Sequence, residues 1–236
     1  MEHRAINYCG RAVFRLLPPQ DRYKSFTDGS CFVFRDPRCV ITAAHVVAES
    51  PTEAEWLVLA EHWSASARVL ATDVEQDLAV LQLSEPAPAV LKASDHSGDA
   101  GDALVAWDWP DSSNHTGRAF CSQTYAQLRV PPLSSDTRSR IAFVGHVRKG
   151  MSGGPLVSSA SGAVQGVIVN ARPTIDEHEI VDCWWSHAQS DWQGTDEEEN
   201  ILLACVRAQL ALGLGFATPI DDVLKFLSLS RVTRLL

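Results

Sequence analysis

Three residue types that together carry out acyl transfer, a serine, a histidine and an aspartate, occur in local sequences suited to that chemistry. The serine lies in the octapeptide Gly150-Met151-Ser152-Gly153-Gly154-Pro155-Leu156-Val157. Its glycines allow a tight turn and let a second molecule approach the hydroxyl closely. If the N–H groups of Gly150 and Ser152 point the same way, two donors converge where an oxyanion would form. Ser152 is therefore a candidate nucleophile, although Ser, Gly and Pro are also ordinary turn residues.

A serine nucleophile needs a base to take its proton and a carboxylate to orient that base. His45 follows an apolar run that begins at Val40, and Asp77 comes directly before the apolar run 78–83. Each also has an ordinary structural explanation, because a histidine after an apolar strand is often a core residue and an aspartate at a strand entrance is often a cap. Taken one at a time, these residues leave both interpretations open.

The elements that must position these residues are short apolar runs separated by turns, a pattern typical of an all-β barrel or sandwich. His45 lies where the third run gives way to a short helical turn. The runs comprise residues 11–17, 30–34, 40–47, 56–60, 67–70, 78–83, 103–107, 125–130, 141–144, 155–157, 164–169 and 215–217.

Two features predict the domain organisation and the end of the fold. Between Ser84 and Gly101 the composition shifts to Pro, Ala, Ser, Asp and Gly, which indicates a surface linker between lobes at 1–95 and 96–236. Near the C-terminus, Thr218, Pro219 and Asp221 read as a helix N-cap, a first-turn proline and a capping acid. Apolar residues then recur at helical spacing, so a helix is expected over about 219–229. These apolar residues are Ile220, Val223, Leu224 and Leu227.

Composition places the chain among soluble globular proteins. Of its 236 residues, 45% are apolar. It has no uninterrupted apolar run of about 18 residues, so no membrane span is expected. The N-terminus lacks the apolar segment of a secretory signal, which favours a cytoplasmic location. The cysteines are scattered without tight spacing, and we expect free, buried thiols rather than disulfides; they are Cys9, Cys31, Cys39, Cys121, Cys183 and Cys205.

The net charge of −9 belongs to one segment. Between Pro173 and Val206 there are nine acidic residues and no Lys or Arg, together with Trp184, Trp185 and Trp192. No clustered basic surface of the kind that binds nucleic acid is present. His178, Cys183 and His187 fit no standard zinc spacing, so we expect neither a metal nor another cofactor.

Four motifs follow one another along the chain: Thr42-Ala43-Ala44-His45, residues 73–81 around Asp77, the octapeptide 150–157, and Gly215-Phe216-Ala217-Thr218-Pro219-Ile220. In this order they resemble the trypsin-like (chymotrypsin-fold) serine peptidases, and within them the bacterial HtrA-like branch. The resemblance covers most of residues 11–229, except about 173–213. The four motifs in this order indicate the family far more specifically than any one of them alone. They therefore favour the interpretation that His45, Asp77 and Ser152 form a catalytic triad over three separate structural roles.

The resemblance implies an all-β fold of two six-stranded antiparallel β-barrels with a C-terminal α-helix and an active site between the lobes. His45 would act as general base and then acid, Asp77 would orient it, and Ser152 would attack the carbonyl. The N–H groups of Gly150 and Ser152 would form the oxyanion hole.

Three features of the sequence limit which properties of the family are expected here. Met151 stands where zymogen-activated relatives usually carry an Asp that pairs with a newly cut N-terminus, so activation of that kind is not expected. Val46 takes the place of a disulfide cysteine, as in the HtrA branch. No PDZ-like segment follows residue 229, so the oligomeric quality-control architecture is not expected.

Matching positions also suggest a substrate site. His146, six residues before Ser152, corresponds to the base of the primary specificity pocket in many relatives. A histidine there favours acidic or amide side chains before the scissile bond, unless it points into the barrel. Val169, Asn170 and Ala171 match the strand that pairs with substrate.

The acidic segment 173–213 is an addition to the family pattern. Loops of this length are often functional, and exposed aromatic residues often mark contact sites. We expect a regulatory lid or a docking site for a protein partner. The sequence thus predicts a regulated serine endopeptidase that cuts a dedicated protein, in bacterial defence or signalling. The alternative is a catalytically silent binding module with a protease fold.

Overall fold

A computed structural model describes residues 8–19, 29–48, 54–95, 103–109, 119–130, 140–145, 150–169, 195 and 214–230. Twelve strands in these ranges form two closed antiparallel barrels. The strands are β1 Val13–Leu17, β2 Gly29–Val33, β3 Cys39–Thr42, β4 Glu55–Leu59, β5 Ser64–Asp73, β6 Leu78–Leu83, β7 Leu104–Asp108, β8 Phe120–Val130, β9 Arg140–Val144, β10 Pro155–Ser158, β11 Val164–Ile168 and β12 Leu214–Pro219. The described ranges also hold the α-helices α1 (Ala44–Val47) and α2 (Ile220–Leu229), and a 3-10 turn at Gly10–Ala12 precedes β1.

The first barrel closes in the order β1-β2-β3-β6-β5-β4. Successive residues of a strand point to opposite faces, and in β6 both faces are apolar. Ala79 and Leu81 point into the core of this barrel, whereas Leu78 and Val80 join a cluster shared with the second barrel. This double burial explains why β6 reads as a continuous apolar run.

The second barrel closes in the order β10-β11-β12-β9-β8-β7. Its core includes Leu104, Phe143 and Leu156. The opposite face of β7, β10 and β11 packs in the cluster shared with the first barrel, and α2 contributes to the same cluster through its buried face. That face consists of Ile220, Val223, Phe226 and Leu227. The shared cluster thereby holds the two barrels in a fixed relative position. A site that takes residues from both barrels needs such a fixed position.

The predicted fold class, two antiparallel barrels with a C-terminal helix, is confirmed. The predicted cap of the helix was wrong. Pro219 occupies the N-cap position and makes no side-chain cap hydrogen bond, and Thr218 belongs to β12. The Thr218 hydroxyl is used instead in a contact between the barrels. The proposed lobe boundary at residue 95 lies between the last strand of the first barrel and β7, and it stays a prediction.

Four cysteines lie in the described ranges, all as free thiols, of which Cys9, Cys31 and Cys39 are buried and Cys121 is exposed. Burial raises the pKa of Cys9 to about 11 and that of Cys39 to about 12. Such thiols are not reactive at neutral pH. Cys183 and Cys205 lie outside the described residues. No helix in the described ranges is long and apolar enough to cross a membrane.

Candidate active site

His45 and Asp77 form a pair joined by two hydrogen bonds. The backbone N–H of His45 donates to Oδ1 of Asp77 at 2.9 Å, and Nδ1 of His45 lies 2.8 Å from Oδ2. The first amides of a helix have no partner within the helix. One carboxylate oxygen therefore satisfies the start of α1 while the other holds the imidazole. The Asp77 side chain is 20% exposed and that of His45 is 47% exposed, so the imidazole is accessible from outside the protein.

The charge on Asp77 is maintained by its neighbours. Burial alone would raise the pKa of this carboxyl, but the hydrogen bonds and charge of His45, together with the charge of Arg140, outweigh it and lower the pKa. Asp77 is therefore a carboxylate at neutral pH and acts only as an acceptor. An acceptor facing Nδ1 selects the tautomer with its proton there, which leaves Nε2 of His45 free to accept a proton.

The backbone at Asp77 is left-handed, with φ of 56°. Aspartate is among the few residues that adopt this conformation readily. Two side chains of the second barrel hold the preceding peptide. Arg140 donates to the carbonyl oxygen of Gln76 at 3.0 Å, and the Thr218 hydroxyl donates to the same oxygen at 2.8 Å. The carboxylate of the first barrel is thus positioned partly by the second barrel.

Ser152 lies in a turn pressed against the segment that carries His45. A methyl group placed on Gly153, whose φ is 86°, would lie 3.0 Å from the amide nitrogen of Ala43. A methyl group on Gly29 would lie 2.5 Å from Cγ1 of Val46 and 3.4 Å from the carbonyl oxygen of Ser152. Gly153 is required both for its conformation and for this close approach.

Three consecutive carbonyl groups of the turn are fixed. The oxygen of Gly150 accepts from the Ser30 hydroxyl at 2.6 Å, and that of Ser152 accepts from the Ser30 amide at 2.9 Å. Between them, the oxygen of Met151 accepts from the amide of Gly154 at 2.9 Å. Among the described residues, the amides of Gly150 and Ser152 have no acceptor. Both therefore stay available as donors, as an oxyanion hole requires.

Met151 anchors the turn in the second barrel. Its side chain is 1% exposed and packs in the core with Leu156 and Ile168. Burial of its apolar side chain therefore anchors Met151. Zymogen-activated relatives usually have at this position an Asp that pairs with a new N-terminus. Ser152, in contrast, is 7% exposed, and its hydroxyl makes no hydrogen bond to His45. Such contacts commonly tighten only when a substrate is bound.

The structure locates the other predicted site residues only in part. Val169 is buried, and its amide donates to the carbonyl oxygen of Phe216 at 2.9 Å. His146, Asn170 and Ala171 lie outside the described residues, as does the acidic segment 173–213 apart from Thr195. In the ranges that the structure describes, no group of three or more His, Cys, Asp or Glu side chains is arranged to hold a metal ion.

Three residues that support the site escaped the sequence analysis. In the sequence, Ser30 has the context of a strand start, Arg140 has no distinctive context, and Thr218 has the context of a helix cap. Each acts on a residue distant in sequence and across the two barrels, and no local pattern indicates such a contact. The turn residue pair Gly29-Ser30 was the one available signal.

Comparisons with known proteins bear on the family and on the fold. Residues 29–167, more than half of the chain, match the family model of the trypsin-like peptidase domain. The active form of the Rv3671c protease from M. tuberculosis superposes with a TM-score of 0.64 at 22% identity, over 95% of this chain and 82% of that one. The inactive form of the same protease gives 0.61 at 20% identity, over 95% and 91%. The serine endoprotease from Yersinia pestis gives 0.65 at 17% identity, over 98% and 66%.

At these identities the structural likeness establishes the fold, while the family match rests on sequence. No curated protein sequence matches the chain at a significant level. The matched range contains His45, Asp77 and Ser152, and it ends within β11.

Proposed function

The chain belongs to the trypsin-like peptidase family and is a trypsin-like serine protease, and we propose that it cleaves peptide bonds with Ser152 as nucleophile, His45 as base and Asp77 as the orienting carboxylate. The observation that carries the proposal is the His45–Asp77 pair, held by two hydrogen bonds, beside a nucleophile turn in which the amides of Gly150 and Ser152 have no acceptor among the described residues. The substrate is a protein or peptide.

In the first step, Nε2 of His45 takes the proton of the Ser152 hydroxyl as Oγ bonds to the substrate carbonyl carbon. The carbonyl π electrons move to oxygen, and the amides of Gly150 and Ser152 donate to the resulting oxyanion. Asp77 stays ionised and stabilises the imidazolium. The lowered pKa of Asp77 supports this role, because a protonated carboxyl could not accept from Nδ1.

In the second step, the imidazolium gives its proton to the leaving amine as the C–N bond breaks, which leaves an ester on Ser152. Water then attacks this ester while His45 takes a proton from it, and the proton returns to Oγ as the acid product leaves. No metal or organic cofactor is needed for either half of the reaction.

The rival function is a binding module that keeps the fold but does not react. A fluorophosphonate probe separates the two, because it bonds only to an activated serine. We expect labelling of the wild-type protein and none of Ser152→Ala or His45→Ala. If the wild-type protein stays unlabelled, or if both variants label at the wild-type rate, the endopeptidase proposal is wrong.

We also propose that the acidic, tryptophan-bearing segment regulates the enzyme as a lid or as a docking site for a protein partner. Its composition supports this, since nine acids and three tryptophans follow directly on the predicted substrate-pairing strand. Deletion of residues 176–199 should change basal peptide hydrolysis or partner binding. A folded deletion variant in which both quantities equal the wild-type values would refute the idea.

For specificity, we propose that His146 favours substrates with Asp, Glu, Asn or Gln before the scissile bond, because an imidazole can pair with a carboxylate or hydrogen-bond an amide. Profiling with a peptide library should show this preference, and His146→Ala should weaken it by about tenfold, the effect of roughly one hydrogen bond to a charged group. A profile without any of these four side chains would rule the assignment out.

A further inference from the structure

Ser30 is a fully buried polar residue that connects the first barrel to the nucleophile turn. It lies in β2 with 0% exposure. Its hydroxyl donates to the carbonyl oxygen of Gly150 at 2.6 Å and accepts from the amide of Trp109 at 2.8 Å. Its amide donates to Ser152, and its carbonyl oxygen accepts from the Thr42 hydroxyl at 2.8 Å. All of its polar atoms are therefore used, as buried polar groups require.

The two bonds from Ser30 to the turn bracket the nucleophile. One fixes the peptide unit between Gly150 and Met151, and the other fixes the unit after Ser152. In a planar trans peptide unit the N–H and C=O point in opposite directions. The unit between Met151 and Ser152 lies between these two fixed units, and its own carbonyl is held by Gly154. The Ser152 amide therefore points away from the Gly154 amide, and the units on both sides of it are held by Ser30.

The hydroxyl contributes what the backbone of Ser30 alone cannot. Any residue at position 30 would offer an amide to Ser152, but only a side chain with a hydroxyl can donate to Gly150 and accept from Trp109 together. Gly150 has φ of 94°, a conformation that a glycine leaves easily because it has no Cβ. Without the hydroxyl, the carbonyl oxygen of Gly150 would lose its partner in a buried site, and the peptide unit between Gly150 and Met151 would be free to rotate.

We propose that the Ser30 hydroxyl is a positioning group for the oxyanion hole, holding the Gly150–Ser152 turn in the orientation in which both amides face the substrate. This inference rests on the proposed function, since it assigns Ser30 to the reaction of Ser152. Ser30 does not contact substrate and acts only through the turn. Its loss should therefore affect the chemical step more than the binding of substrate.

The test is the reaction of a fluorophosphonate probe with Ser30→Ala, with the maximal inactivation rate and the half-saturating probe concentration measured separately. We expect the maximal rate to fall roughly 10- to 100-fold, as for a displaced catalytic donor, and the half-saturating concentration to change less than about threefold. Should Ser30→Ala fail to fold, Ser30→Cys keeps the shape with a weak donor, and its rate should fall by a smaller factor.

A matched control is Ser94→Ala, which removes a hydroxyl that accepts from Gln165 at 3.1 Å, away from the site. This variant should keep the wild-type rate. Wild-type rates in folded Ser30→Ala and Ser30→Cys, or a change confined to the half-saturating concentration, would overturn the proposal. If the wild-type protein itself did not react, the proposed function would be refuted, and with it the role of Ser30. If the wild-type protein reacted and the Ser30 variants reacted equally fast, only the role of Ser30 would be refuted.

Discussion

Ser152→Ala is expected to lower kcat for peptide hydrolysis by about 10⁶-fold, because the bond-forming oxygen is lost while the fold is not. The hydroxyl makes no hydrogen bond to another residue of the described ranges, so its removal leaves no buried group there without a partner. The free energy of unfolding should therefore change little. Hydrolysis of a fluorogenic peptide and thermal unfolding of the same samples measure the two quantities.

Ser158→Ala is a suitable control for Ser152→Ala. Ser158 ends the strand that follows the nucleophile turn, and its hydroxyl accepts from the amide of Ser161 at 3.3 Å. This variant should keep kcat within about twofold, as surface substitutions away from a site usually do. If Ser152→Ala and Ser158→Ala hydrolysed peptide equally well, Ser152 could not be the nucleophile.

The second large effect is expected from Asp77→Asn, with a fall in kcat of about 10⁴-fold, the size known for this change in a Ser-His-Asp triad. The amide keeps the shape and can still accept from the His45 backbone. Its NH₂ group, however, would face Nδ1 as a donor and favour the tautomer with the proton on Nε2. Nε2 could then no longer take the proton of Ser152. KM should change little, because Asp77 does not face the substrate.

The pH dependence of stability gives Asp77→Asn an independent readout. Since the pKa of Asp77 is lowered in the folded protein, its ionised form stabilises the fold above about pH 4. That contribution is lost as the pH falls through the lowered pKa. The difference in the free energy of unfolding between the wild-type protein and Asp77→Asn should therefore become smaller as the pH falls below about 4.

Asp73→Asn provides the matched control, because Asp73 lies in the same turn and accepts from the amide of Gln76 at 2.9 Å. Its activity should stay within a few-fold of wild type. Equal activity losses in Asp73→Asn and Asp77→Asn would show that the turn matters only for folding, which contradicts the role given to the Asp77 carboxylate.

Local patterns predicted most of the strands, because these carry apolar runs between turn residues, but such runs fit a barrel and a sandwich equally. The family resemblance added the two six-stranded barrels. It also predicted the pairing of His45 and Asp77, through motifs that have a fixed order in the family. These features depend on local patterns, which a single chain retains. The anchoring of Met151 in the second-barrel core was not foreseen, although its apolar nature fits that burial.

Contacts between the barrels could not be predicted in the same way. Thr218 has the local context of an N-cap, yet its hydroxyl donates to Gln76, far away in sequence. Arg140 begins a strand that reads as ordinary, and only the closure of both barrels brings it beside the Asp77 turn. Ser30 likewise gains its role from a turn more than a hundred residues later. Tertiary geometry, and not local propensity, assigns these three residues.

The most direct test of the account is to locate the adduct of a fluorophosphonate probe by tandem mass spectrometry. The wild-type protein is predicted to carry one phosphonyl group, on Ser152, and His45→Ala is predicted to carry none under the same conditions. An adduct on a different serine, or an adduct on Ser152 that forms as fast in His45→Ala as in the wild-type protein, would contradict the proposed triad.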